Sequence, residues 1–232
     1  MWLEITYKPT TLFSLKVSSA TNSAGKSLPC PSPYSVKMAL LNAVITYDSL
    51  ETAKRNFNLI RDLEMFFKIT DAFVVNNCLI RIMKDNDKVK PRIKKTQPFK
   101  KTVAFREYVY FKDELNIAVK IDQDWDNKEI EFLKKWFMHI NYFGKKGCFF
   151  QFVSVKQIDE LSDDYSKALG QDFPAGIMFP MDDVVKDNSV LFKNMDNYDT
   201  AKAKRKQQIH IFPFRQVAAN KNFAYFRKLE KS

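Results

Sequence analysis

The chain has 232 residues, 45% of them apolar and 14% aromatic, with a formal net charge of +11. That composition can build one large domain or two small ones, and it excludes a disordered tail, a collagen-like repeat and a peptide hormone. No run of about 18 uncharged apolar residues occurs, which excludes a membrane-spanning helix.

In chain order, residues 1–17 mix β-branched and aromatic residues with polar ones and predict an opening strand, with Pro9 at a bend or edge. Residues 18–31 form a loop rich in Ser, Thr, Gly and Pro. A helix follows, with Ser32 as cap, Pro33 in the first turn, and Val36, Ala39, Leu40 and Ala43 on one face. A second helix is expected at about 50–66, on the spacing of Ala53, Phe57, Ile60 and Glu64. Residues 73–83 and 102–121 predict strands, the latter divisible at Lys112-Asp113-Glu114, and together they outline a long hairpin around segment 84–101. Residues 126–140 predict a helix capped by Asp126, with Ile130, Leu133, Phe137 and Ile140 on one stripe. A Gly-bearing loop, 142–147, leads into an aromatic strand at 148–153. Residues 156–205 are mixed, with acidic turns at 159–164 and 182–187, and the chain ends in a strand at 209–212, Pro213 and a basic tail. With no internal repeat or long linker, the expected class is α+β around an antiparallel sheet.

The basic excess is concentrated. Segment 84–101 carries a local +6 and segment 201–229 a local +8, which leaves the remainder slightly acidic at −3. An ordinary globule bearing two strongly basic features is the pattern of a polyphosphate binder. The hairpin tip adds Phe99, Pro91 and Pro98 to its lysines, a combination that suits single-stranded nucleic acid through stacking and phosphate contacts.

The loop Phe143-Gly144-Lys145-Lys146-Gly147 offers backbone N–H groups and two ammonium groups to a phosphate, although a tight turn needs no ligand and the P-loop spacing is absent. Catalytic patterns are poor. Of the two histidines, His139 sits beside the apolar stripe of its helix, and His210 alternates with Ile209 and Ile211, which predicts an exposed sheet position near Lys204, Arg205 and Lys206. The adjacent pairs Asp163-Asp164 and Asp182-Asp183 read as turns, not metal sites. Cys30, Cys78 and Cys148 are widely spaced, so no disulfide framework, zinc cluster or cofactor is expected. The opening Met1-Trp2-Leu3-Glu4 has no basic run of a secretory leader, and a cytoplasmic protein is expected.

Three stretches carry a resemblance. PSPYSVKMALLNA (31–43) has a Pro-rich loop and first helix, TVAFREYVYFKDELNIAVKI (102–121) an Arg-Glu-Tyr strand and its successor, and NYFGKKGCFFQF (141–152) a Gly-basic-Gly loop before an aromatic strand. In this order they resemble the CRISPR-associated RAMP proteins that cap the guide-RNA five-prime handle in type I Cascade. The resemblance implies one ferredoxin-like, RRM-like domain over 1–232, with a β-hairpin thumb whose basic tip is 84–101 and a C-terminal elaboration at 156–232 that matches nothing in that family. It further implies handle contacts from Ser32, Tyr34, Lys37, Arg106, Gly144, Lys145, Lys146 and Gly147, and thumb contacts from Lys88, Lys90, Arg92, Lys94 and Lys95. The implied partners are the guide RNA, the Cascade backbone and large subunits and, indirectly, target DNA, with no membrane. Some family members cut the guide precursor without metal through a His, Lys and Tyr set. No histidine here falls in a matching motif, so a non-catalytic binding subunit is the expected function. The alternatives are a metal-independent endoribonuclease, with His210 beside its neighbouring lysines as the candidate general base, and a general single-stranded nucleic-acid-binding protein.

Overall fold

A computed structural model describes residues 1–20, 26–85, 98–170, 175–195 and 204–230. Strand β1 (Trp2–Pro9) stops at the proline, which has no N–H to continue a ladder. It lies inside a four-stranded sheet with β2 (Met65–Ile69), β5 (Leu115–Lys120) and β6 (Phe150–Ile158), in the order β2-β5-β1-β6. Every neighbouring pair in it is antiparallel.

Helix α1 (Pro33–Tyr47), with the short helices α2 (Leu50–Arg55) and α3 (Phe57–Asp62), joins β1 to β2. Helix α4 (Asn127–Met138) joins β5 to β6. Side-chain alternation along β1 separates two environments. Leu3, Ile5 and Tyr7 are all buried, and the Tyr7 hydroxyl donates to the Phe137 carbonyl of α4. Glu4 and Thr6 are buried on the opposite face, where the Tyr165 hydroxyl donates to Glu4 and Asn116 donates to Thr6 Oγ1 at 2.9 Å.

A second sheet is built on the long pair β3 (Ala72–Asp85) and β4 (Phe99–Tyr110), with β10 (Phe214–Ala219) and β11 (Phe223–Lys228) completing the order β10-β11-β3-β4. Their register runs unbroken from Val74↔Tyr110 to Asp85↔Phe99, a ribbon about 40 Å long at the rise of an extended chain. Leu79, Met83, Phe99, Val103 and Phe105 are exposed along one face of it. The third sheet, ordered β7-β9-β8, contains β7 (Lys167–Ala168), β8 (Ile177–Val184) and β9 (Arg205–Phe212).

Four expectations need correction. The helix expected at 50–66 breaks at Asn56, whose amide donates to the Thr52 carbonyl at 2.9 Å, and β2 begins at Met65. Glu64 is therefore not helical; it pairs with Lys120 at 3.5 Å. Asp182 and Asp183 do not form a turn. They lie in β8, so alternation sends Asp182 toward Ser18 and Asp183 toward Lys37. The basic tail is also structured: β10 (Phe214–Ala219) and β11 (Phe223–Lys228) form a hairpin, and β11 pairs with β3. Asn220 Oδ1 accepts from the Asn222 and Phe223 N–H groups at 2.7 and 3.0 Å, which fixes the hairpin turn. Finally, His210 is not an exposed sheet residue but 1% exposed.

Among the described residues, no helix is long and apolar enough to cross a membrane.

Candidate nucleic-acid interface

Three chain segments meet beside the start of α1. At the first, Ser32 Oγ accepts the Ser35 N–H at 3.3 Å and caps the helix, while Pro33 occupies the first turn. This fixes Tyr34 and Ser35 on the opening turn. The second segment is the chain after β1. It doubles back through Val17 N–H to Lys26 O at 2.9 Å and Leu28 N–H to Leu15 O at 2.7 Å, and the Ser27 N–H donates to Glu107 of β4 at 2.6 Å. The third is the turn between α4 and β6, closed by Phe143 N–H to Cys148 O at 3.1 Å and Cys148 N–H to Lys145 O at 3.2 Å.

Glycine is required in that turn for stated reasons. Gly144 has φ +70°, and a Cβ there would lie 2.8 Å from Leu15 Cδ2; Gly147 has φ +104°. Both conformations disfavour any residue with a side chain. The close approach of Gly144 to Leu15 brings Lys145 alongside the loop that carries Lys16.

With β4, β8 and β9 these segments form a cleft of about 300 Å³ whose walls include Ser32, Tyr34, Arg106, Gly144 and Lys145. Five of the residues expected from sequence therefore converge, although they come from three separated stretches. Lys146 and Gly147 stand exposed on the same turn but do not line the cleft. Lys37 does not reach it. Its side chain is fully buried, and its ammonium donates to Asp183 at 2.6 Å and to the Arg61 carbonyl at 2.8 Å. Burial depresses its pKa to about 8 despite the Asp183 carboxylate. Lys37 thus ties α1 to β8 and α3, and contact with a solvent-borne ligand is ruled out in this arrangement. Lys88, Lys90, Arg92, Lys94 and Lys95 lie outside the described residues.

Two cleft cations escaped sequence reasoning, Lys16 and Arg205. The signal for Arg205 was present as the run Lys204-Arg205-Lys206, but only strand β9 brings it to α1. Its guanidinium carbon lies 3.9 Å from the Tyr34 ring centroid, and an Nη lies 3.8 Å from Asp182. Ser18 donates to Asp182 at 2.7 Å, so this carboxylate is held back by its own partners. The cleft thus offers Lys16, Arg106, Lys145 and Arg205 against Asp182, beside an aromatic ring and a helix-capping hydroxyl. Such a surface can attract phosphate by charge, while the Tyr34 ring, 8% exposed, already carries the Arg205 guanidinium on its face.

The histidines lie elsewhere. Burial pushes His210 down to about 4, its Nδ1 is 3.3 Å from Ser166 Oγ, and its Nε2 has no hydrogen-bond partner. His139 follows α4, with Nδ1 2.8 Å from the Lys135 carbonyl. A carbonyl only accepts, so this nitrogen carries the proton and Nε2 is the basic one. The His139 ring centroid is 5.1 Å from that of Tyr47 and 5.4 Å from that of Trp136. Among the described residues, no group of His, Cys, Asp and Glu is arranged to hold a metal ion.

No protein-family model matches the chain. A CRISPR-associated protein Cas5 of Archaeoglobus fulgidus is 24% identical over 193 residues, which span 80% of each chain. The chain resembles a RAMP-type Cas5 protein. A crystal structure of a CRISPR protein from Archaeoglobus fulgidus superposes with a TM-score of 0.53 over 99% of this chain and 92% of that one, at 10% identity. This second likeness is one of fold, and it agrees with the α+β class of mostly antiparallel sheets seen here.

Proposed function

We propose that this chain is a CRISPR-associated, cytoplasmic RNA-binding subunit that grips the five-prime handle of a guide RNA within type I Cascade. One observation carries the reading: the three stretches that resemble the handle-capping RAMP proteins are far apart in sequence, yet all contribute walls to one basic cleft. Chance resemblance of isolated segments gives no reason for such convergence. The likeness to a Cas5 protein supports the CRISPR-associated part of this reading.

The architecture supports it as well. A β1-α1-β2 and β5-α4-β6 connection with strand order β2-β5-β1-β6 supports reading this sheet as a ferredoxin-like domain. The β3–β4 ribbon is the proposed thumb, its exposed apolar face suited to a neighbouring backbone subunit. In this function the cleft holds backbone phosphates by charge, with the Tyr34 ring holding Arg205 in place, and no bond in the RNA is broken. The whole chain acts as one domain, in complexes that meet target DNA through the guide.

The test is co-expression of the chain with a repeat–spacer array and its genomic neighbours, followed by sequencing of the co-purified RNA. Uniform guides with a protected repeat-derived five-prime end are expected. Random cellular RNA overturns the proposal and leaves a general single-strand binder.

A second reading has one observation behind it. His139 Nε2 is available as a base, Tyr47 is 59% exposed beside it, and the Lys135 ammonium lies 4.4 Å from the Trp136 ring centroid. Metal-independent cleavage would use such a base to take the proton of a ribose 2′-hydroxyl, whose oxygen attacks the adjacent phosphorus to form a 2′,3′-cyclic phosphate as the bond to the 5′-oxygen breaks and that oxygen leaves with a proton from water. Tyr47 ends α1 while Tyr34 opens it, about 20 Å apart along the helix. Incubation of the pure chain with repeat RNA in EDTA decides: no discrete cut is expected from a binding subunit, and a cut abolished by His139→Ala establishes the nuclease.

A further inference from the structure

A second, larger depression adjoins the basic cleft. It encloses about 920 Å³ between the β10–β11–β3 sheet and β8, and Pro180 lines both spaces. Its walls are mainly apolar, with Phe179, Met178 and Ile177 on β8 and Phe226 and Val75 on the sheet.

The boundary between the two spaces is a ridge with different chemistry on each side. Lys16 lines the cleft and its neighbour Val17 lines the groove. Arg106 lines the cleft and Glu107, next to it on β4, lines the groove. Adjacent residues of extended chain face opposite ways, so at these two pairs the cation faces the cleft and its apolar or acidic neighbour the groove; Lys26 also lines the groove, and Leu15 and Leu28 line the cleft. A nucleotide strand has the same division, with charged phosphates along one edge and flat, largely apolar bases along the other.

Resting on the handle-binding reading, we propose that the groove is the base-binding half of the same site, taking nucleobases of single-stranded RNA whose phosphates lie in the cleft. The aromatic walls are held rigid. Phe226 stacks on Phe73 with centroids 4.6 Å apart and planes 14° apart, and Phe179 meets Phe212 edge-on at 5.7 Å. Fixed rings suit base stacking because little side-chain freedom is lost when a base arrives. The Glu107 carboxylate accepts the Ser27 N–H at 2.6 Å; it repels a phosphate but can accept an N–H from a base edge. The occupant must therefore enter base first. At about 920 Å³ the groove has room for more than one base.

The test uses the full chain and a single-stranded RNA of about eight nucleotides, a length within the usual range for such sites, with one 4-thiouridine placed at each position in turn. Photocrosslinks at Met178, Phe179 or Phe226 are expected from one or two adjacent positions. Removing the base at those positions should weaken binding about tenfold. Met178 is 45% exposed, so Met178→Asp leaves the core intact, and in that variant the base-bearing and abasic strands should bind alike. Lys145→Ala should weaken both strands equally. Crosslinks confined to the Tyr34 cleft, with abasic RNA binding as tightly, overturn the groove proposal and leave the handle reading standing. Absence of RNA binding at either place overturns both. A groove covered by another protein chain in the assembled complex, without RNA crosslinks, overturns the groove proposal alone.

Discussion

The Arg205 guanidinium carbon lies 3.9 Å from the Tyr34 ring centroid, joining the first residue of β9 to the opening turn of α1. This contact closes one wall of the basic cleft. It also orients a cation that would otherwise sweep solvent, because Asp182 lies 3.8 Å from the same guanidinium. Cation–π contacts at partly exposed sites contribute about 0.5–1 kcal/mol, enough to bias a side chain but not to lock it.

Arg205→Ala should therefore weaken single-stranded RNA binding and flatten its salt dependence. With Lys16, Arg106, Lys145 and Arg205 each on a phosphate, the slope of log affinity against log salt is expected near −3, on the basis of about 0.7 per contact. Removing Arg205 should bring it to about −2. Fluorescence anisotropy at several salt concentrations measures both slopes; an unchanged slope would show that Arg205 carries no phosphate.

Gly144→Ala should cost about 1–2 kcal/mol of stability, because the left-handed backbone and the 2.8 Å approach to Leu15 Cδ2 both resist a methyl group. Lys145→Ala should leave stability within about 0.5 kcal/mol, since the side chain is exposed. Urea unfolding separates the two, and RNA binding should fall in both.

Lys37→Met should destabilise the fold by about 3–5 kcal/mol, because it leaves the Asp183 carboxylate buried without its cation. Adding Asp183→Asn should restore much of the loss. Equal stability of the single and double variants in chemical denaturation would refute a coupled pair.

Acid should destabilise the protein through His210. Its folded pKa of about 4 lies below the ordinary 6.5, so the unfolded chain binds the proton more readily. Stability held above pH 6.5 is lost as the pH falls toward 4, by about 3 kcal/mol at roughly 1.4 kcal/mol per pH unit. Phe66 and Phe67 surround the ring, so His210→Phe should flatten this part of the profile. Glu4 contributes separately at lower pH: burial raises its pKa, but the bonds from Tyr165 and Lys156 outweigh this and leave it lowered. A midpoint profile identical in both proteins would remove His210 from the account.

Much of the fold was legible because it is local. The Ser32 and Asp126 caps and the Lys112-Asp113-Glu114 break act within a few residues, and side-chain period distinguishes helix from strand. The helix at 50–66 was misjudged where one side chain, Asn56, turned the chain against a continuing apolar period. The hairpin at 214–228 was missed although Asn220-Lys221-Asn222 is a turn signal, because its basic charge was the stronger pattern.

Burial of polar groups was decided only in three dimensions. Lys37 and His210 carry the same side chains whether they face water or the core, and neighbours far along the chain determine which. Asp183 of β8 claims Lys37, while Phe66, Phe67 and Ser166 enclose His210. From the sequence, the resemblance to the handle-capping RAMP proteins singled out Ser32, Tyr34, Arg106, Gly144 and Lys145, and local turn chemistry accounted for the Ser32 cap and the Gly-Lys-Lys-Gly turn. Only the tertiary structure brought Lys16 and Arg205 to them and withdrew Lys37, because strand pairing and long-range electrostatics depend on which segments meet.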